Sequence, residues 1–183
     1  MTEKTLTTVE GAAAFAALAH MGQVDKAGRP YVFHVLRVGM NLAPYGTDYA
    51  IAGILHDVLE DTSATVEDLV ALGASGDVIS AVAAVTKTES ESTLGAYEKS
   101  ISKAAADPIG LLVKAFDVMD NAGRLDEGLL DPAVEARLRS KYVMASGLLA
   151  GFLEAAGRGE LAATLRAMQR SLMPYVGDER ETA

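Results

Sequence analysis

With 183 residues, half of them apolar, the chain has the length of one domain, residues 1–183, and enough hydrophobic side chains for one buried core. The absence of cysteine excludes disulfides and thiolate ligands, so any metal must be held by nitrogen and oxygen, and it fits a reducing, cytoplasmic setting. A formal net charge of −9 argues against a nucleic-acid surface, and neither residues 1–10 nor the nearly uncharged run 142–153 is apolar and long enough for export or membrane insertion.

Apolar residues recur at helical spacing almost throughout, without an alternating strand pattern or an Asn-Gly hairpin, which predicts an all-α protein of about eight to nine helices. The first helix covers about 8–23, and Lys26-Ala27-Gly28-Arg29-Pro30 forms a connector whose proline opens the next helix, which carries His34. Pro44-Tyr45-Gly46 breaks the pattern. Asp48 then caps a helix running through Ile54-Leu55-His56-Asp57 to about Asp61, and Thr65 caps a short helix ending at Gly73. Helices follow near 76–86, 93–106 and 108–124, the last opened by Asp107-Pro108, an N-cap followed by proline at the first helical position. Asp131-Pro132 repeats that signal for a long helix to about Ala156, and Gly157 to Gly159 separates it from a final helix ending near Pro174.

Three histidines, His20, His34 and His56, are the natural candidates for metal binding, since a neutral imidazole is the commonest metal donor. His56 stands beside Asp57 after the apolar run Ala50-Ile51-Ala52-Gly53-Ile54-Leu55, where a purely structural helix would go on burying aliphatic side chains. Burying the acid unpaired is expensive, and a cation removes that penalty. Successive helical residues differ by about 100° in direction, so His56 and Asp57 share one ion either near a helix end or with one ligand reaching around. Other helices must complete the site. Glu60 and Asp61 lie near the same face as Asp57 and bring more carboxylate than one cation requires, which suits activation of water. In 111–121 an apolar helix presents Asp117 with Lys114 three residues before it; a lysine and a metal-bound acid together suit a phosphate substrate.

The ordered series Pro30-Tyr31-Val32-Phe33-His34, Ile54-Leu55-His56-Asp57-Val58-Leu59-Glu60-Asp61 and Val113-Lys114-Ala115-Phe116-Asp117 resembles the hydrolase domain of RelA/SpoT-type enzymes and small alarmone hydrolases, within the HD superfamily. The likeness extends over His20-Met21-Gly22-Gln23, Gly28-Arg29-Pro30-Tyr31 and Val85-Thr86-Lys87, about 10–150 in all, and weakly over Arg139-Ser140-Lys141-Tyr142. It implies an HD-type helical domain with one divalent metal, manganese, on His34, His56, Asp57 and Asp117. Glu60 and Asp61 then correspond to the pair that activates the attacking water. The implied reaction removes the 3′-diphosphate of guanosine tetra- or pentaphosphate as pyrophosphate, and the length fits a stand-alone hydrolase. The expected partner is a small nucleotide, with neither nucleic acid nor membrane involved; the oligomeric state is left open.

Plainer readings stand beside these. A lone histidine in an apolar helix is more often a core residue, and His20, which matches the family pattern without being a family ligand, is read as packing or supporting a ligand from behind. Lys26, Lys87, Lys114 and Asn121 are candidates for contacting phosphate or ribose, although each also fits a solvated surface, with the two readings balanced for Lys87. Tyr97 and Tyr142 are weaker candidates. Two departures from the family pattern concern Asp25, where an arginine is usual, with Lys26 as a shifted cation, and the packing positions Val35, Ala115 and Phe116. Three functions therefore remain: the alarmone 3′-pyrophosphohydrolase, a phosphohydrolase for another nucleotide, and a non-catalytic nucleotide- or metal-binding module. Intact Glu60 and Asp61 argue against the last.

Overall fold

A computed structural model describes residues 5–87, 94–125 and 128–173. The helices are α1 (Val9–Ala19), α2 (Val32–Leu42), α3 (Thr47–Leu55), α4 (Val58–Asp61), α5 (Val66–Ala71), α6 (Gly76–Val85), α7 (Leu94–Ala105), α8 (Pro108–Ala122), α9 (Pro132–Ala155) and α10 (Gly159–Leu172). Short 3-10 turns occupy Thr5–Thr7 and Ala43–Tyr45. Among the described residues there is no sheet, only an isolated antiparallel bridge between Val24 and Pro30 that closes the connector before α2. The all-α class is as expected.

Most helix starts follow the expected caps. Thr8, Asp107 and Asp131 accept backbone N–H groups at the starts of α1, α8 and α9, and Thr65 forms a reciprocal capping box with Asp68 at α5. Two boundaries differ. The first helix ends at Ala19 rather than near Gln23, because residues 20–23 unwind through turns and Gly22 adopts φ 80°. Asp48 is not the N-cap of α3. Gly46, at φ 133°, takes that position, so Asp48 falls in the first turn and accepts instead from Ser75 Oγ at 2.9 Å. The expected end of the final helix near Pro174 lies outside the described residues.

The largest difference is a break. The single helix expected up to Asp61 is two, interrupted at His56 and Asp57, where Asp57 has φ −102° and ψ −2°.

The core runs through all the longer helices, with Leu42, Ile51, Ile54, Leu55, Leu112 and Leu149 fully buried. Burial of this kind is worth about 1.5–3 kcal/mol for each large aliphatic side chain. Glycines let α2 and α3 cross closely: a Cβ added at Gly39 would come within 2.9 Å of the Ala50 carbonyl oxygen, and one at Gly53 within 3.0 Å of Gly39 Cα. That approach places the start of α2 beside the end of α3, and α8 packs on both. No helix among the described residues is long and apolar enough to cross a membrane.

Candidate metal centre

The interruption at His56 and Asp57 resolves how neighbouring residues can face one point. Where α3 stops and α4 starts in a new direction, His56 Nε2 lies 2.9 Å from Asp57 Oδ2. From α2, His34 Nε2 comes within 3.6 Å of the same oxygen, and the two imidazole rings stand edge to face with centroids 5.1 Å apart. Asp117, from α8, brings Oδ1 to 3.4 Å from His34 Nε2 and 3.9 Å from His56 Nε2. Thus four side chains from three separate stretches of the sequence converge.

Their hydrogen bonds give the rings a direction. His56 Nδ1 donates to the Gly53 carbonyl at 2.8 Å, and His34 Nδ1 donates to Asp120 Oδ2 at 2.8 Å. Both partners are acceptors, so in the neutral ring each Nε2 carries the lone pair. Both Nε2 atoms are buried and make no hydrogen bond. Leaving two imidazole acceptors buried and unused is costly, and a cation would satisfy both at once. The donor separations agree: bonds of about 2.1 Å give ligand–ligand edges of roughly 3.0 Å in an octahedron and roughly 3.4 Å in a tetrahedron. The residues present therefore fit a divalent ion, with donor atoms of His34, His56 and Asp57 all within 4.8 Å of one another.

Electrostatics point the same way. Burial opposes charging of His34, but the neighbouring carboxylates of Asp117, Asp120 and Asp57 outweigh this and lift its pKa to about 10. His56 is raised too: burial works against it, while Asp57 and Asp117 prevail. Burial resists ionisation of Asp57, but the adjacent His56 holds it below the usual carboxylate range. Asp117 is likewise pulled down, by Lys114 and the two histidines against the same burial. Without metal, protons on the rings balance the carboxylates. Tyr31 donates its hydroxyl to Asp57 Oδ2 at 2.6 Å, and burial together with the Asp57 charge raises the phenol's pKa and keeps it protonated.

The site opens into a cavity of about 370 Å³, lined among others by Glu60, Asp61, Lys26, Lys87, Lys114 and Asn121, each singled out from the sequence. Several are already engaged. Lys87 Nζ pairs with Glu60 Oε1 at 2.5 Å, and the Lys87 backbone N–H donates to Glu60 Oε2 at 3.2 Å. Lys114 Nζ holds Asp117 Oδ2 at 3.0 Å, and Asn121 Nδ2 donates to Asp117 Oδ1 at 2.6 Å. Lys114 and Asn121 thus steady the aspartate in this structure. Burial, then the charges of Asp57 and Glu60, raise the pKa of Asp61.

Cations, among them Lys26, Arg29, Lys87 and Lys114, line the cavity beside its carboxylates. The Lys26 pKa is lowered by burial and by the charges of Arg137 and Lys87. Lys141, 3.9 Å above the Tyr97 ring, is pushed down to about 8 by burial and by Lys114 and Lys87. Within a chain of charge −9, this is a local basic cluster suited to phosphate.

His20 stands outside the donor set, as expected, with Nδ1 2.8 Å from Gln23 Oε1 and its ring 5.1 Å from that of Tyr31. Gln23 in turn donates to the Asp61 carbonyl at 2.5 Å. Asp25 lines the cavity. Its carboxylate is turned into its own loop, accepting from the backbone of Ala27 and Arg29 and from Arg29 Nε at 3.0 Å, so its charge is compensated there. Sequence reasoning gave no role to Tyr31, Arg37, Asp120, Arg137 or Lys141. Residues of these types are common on surfaces, and only the spacing of Asp120 three residues after Asp117, on one helical face, was a usable signal.

No family profile matches the sequence. Among curated proteins, the chain is 34% identical over 122 residues to the guanosine-3′,5′-bis(diphosphate) 3′-pyrophosphohydrolase of Aquifex aeolicus, which covers 64% of this chain and 18% of that protein. It is 35% identical over 133 residues to a GTP pyrophosphokinase of Myxococcus xanthus, covering 66% and 17%. The chain therefore matches less than a fifth of the length of these relatives. Among solved structures, it superposes with a TM-score of 0.74 and 26% identity on a metazoan ortholog of SpoT described as hydrolysing ppGpp and acting in starvation responses, covering 90% of this chain and 95% of that one. With helices that superpose over nearly the whole of both chains, the chain is a RelA/SpoT hydrolase-like domain of the HD superfamily.

Proposed function

We propose that this chain is a metal-dependent 3′-pyrophosphohydrolase of guanosine tetra- and pentaphosphate, acting as one domain in the cytoplasm. The observation that carries this reading is the pair of buried, unpartnered Nε2 atoms of His34 and His56 facing Asp57 and Asp117 on the floor of a cation-lined cavity. His34, His56, Asp57 and Asp117 would hold one divalent ion, with manganese the expected metal. Bound there, it supplies Lewis acidity toward a phosphoryl oxygen and lowers the pKa of water.

The chain's own residues do the rest. Water adds to the phosphorus nearest the ribose, the bond from that phosphorus to O3′ breaks, O3′ takes up a proton to become the 3′-hydroxyl, and pyrophosphate and GDP or GTP leave. Glu60, fixed by Lys87, takes the proton of the attacking water, and Asp61, whose pKa is raised by burial and by the charges of Asp57 and Glu60, shares that role. Lys26, Lys87 and Lys114 face the equatorial oxygens as charge builds on them. The compensated Asp25 carboxylate, with Arg29 beside it at the cavity, favours a second reading in which base recognition is relaxed and another 3′-diphosphate nucleotide is also cleaved.

The test is pyrophosphate release from a panel of guanosine and adenosine 3′-diphosphate nucleotides. Guanosine tetraphosphate should be cleaved, with loss of activity in chelator and recovery on adding Mn²⁺. A protein inert toward it in Mn²⁺ but active on another nucleotide establishes the second reading in place of the first.

A further inference from the structure

We infer that Asp120, clamped by Arg37, is a positioning residue that fixes the ring of His34 with Nε2 toward the metal; the inference rests on the metal-centre reading above. Asp120 lies one helical turn beyond Asp117 on α8, with its side chain only 10% exposed. Its two oxygens face three donors. Arg37 gives Nε to Oδ1 at 2.6 Å and Nη2 to Oδ2 at 2.9 Å, and His34 gives Nδ1 to Oδ2 at 2.8 Å. Three N–H donors on two oxygens, one of them a guanidinium fork, is the surrounding of an acceptor-only carboxylate.

An imidazole can ligate through Nε2 only when that atom lacks a proton, and a neutral ring places its one proton where the acceptor is. Asp120 supplies that acceptor at Nδ1. Arg37 then prevents the carboxylate from turning away, because its fork binds both oxygens. His56 achieves the same end with the Gly53 carbonyl, an acceptor no side-chain change can remove. His34 is therefore the ligand whose orientation a single substitution can undo.

Asp120→Asn tests this with almost no change in shape. Three donors would then face one oxygen and one amide nitrogen. If the oxygen stays with Arg37 Nε, the amide nitrogen donates to His34 Nδ1 and drives the proton to Nε2, where it blocks the metal. If the oxygen faces His34, the amide nitrogen opposes Arg37 Nε and the clamp is lost. Affinity for Mn²⁺, measured by competition with a chelating indicator, should fall by roughly ten- to a hundredfold. Asp120→Ala should fall at least as far, and Arg37→Gln, at a side chain 31% exposed, by less in the same direction. In Zn²⁺-loaded parent protein, the His34 Nδ1–H should give an exchange-protected proton NMR resonance that Asp120→Ala, which removes the acceptor, abolishes, and a merely structural role would not require this. Parent-like Mn²⁺ affinity in both Asp120 variants, with the resonance intact in Asp120→Ala, overturns the inference while leaving the metal centre standing. A parent that binds no Mn²⁺, or a His34→Ala variant that binds it as the parent does, overturns the metal centre itself.

Discussion

At the scale of the residue, Glu60 is held by Lys87 through both its ammonium and its backbone N–H, which orients the carboxylate without burying it. Glu60→Gln keeps the shape and removes the proposed base. Turnover should drop on the order of a hundredfold or more while Mn²⁺ affinity stays within a few-fold of the parent; equal turnover in the two proteins would assign proton removal to Asp61 alone. Lys141 carries a second prediction. Its pKa of about 8 means that it is cationic at pH 7 and becomes neutral as pH rises past 8, because burial and the neighbouring Lys114 and Lys87 disfavour its charge. A polyphosphate needs that charge, so the Michaelis constant for guanosine tetraphosphate should rise between pH 7 and 9. In Lys141→Met the constant should be higher at pH 7 and the rise should shrink; a parent profile as flat as that of the variant would show that the ammonium does not reach the ligand's field.

Among the elements, the crossing of α2 and α3 and the break before α4 set the site. Gly39 is where the crossing is tightest, since an added Cβ would meet the Ala50 carbonyl oxygen at 2.9 Å, and backbone cannot yield as a flexible side chain can. Gly39→Ala should therefore cost about 1–3 kcal/mol, read as a lower midpoint in urea, and should weaken Mn²⁺ binding as His34 and His56 separate. A parent-like midpoint would mean that the helices part without penalty. Nine helices were legible from caps, prolines and glycines, because those signals act within a few residues. The interruption at His56 and Asp57 was not, since the apolar run ahead of it reads as continuous and the strongest local cue, the His-Asp pair, speaks of chemistry rather than of backbone.

For the molecule as a whole, the proposed metal would add to the stability of the fold, because a ligand that binds only the folded state stabilises it by mass action. Free Mn²⁺ at about a hundred times its dissociation constant should add about 2.7 kcal/mol, visible as a rise in Tm that chelator reverses. Asp117→Ala should abolish the rise, and a rise of the same size in that variant would remove Asp117 from the site. By itself, the sequence determined the helical class, the order of the elements and the short set of nitrogen and oxygen donors, since periodicity, caps and the absence of cysteine are properties of residues and their near neighbours. Only the tertiary structure decided that His34, His56, Asp57 and Asp117 face one another, that Asp25 turns inward to Arg29, and that Asp120 stands behind His34. Those relations join α2, α8 and the break after α3, or fold a loop back on itself. They follow from how close two backbones can come and which way a side chain then points, which no local pattern encodes.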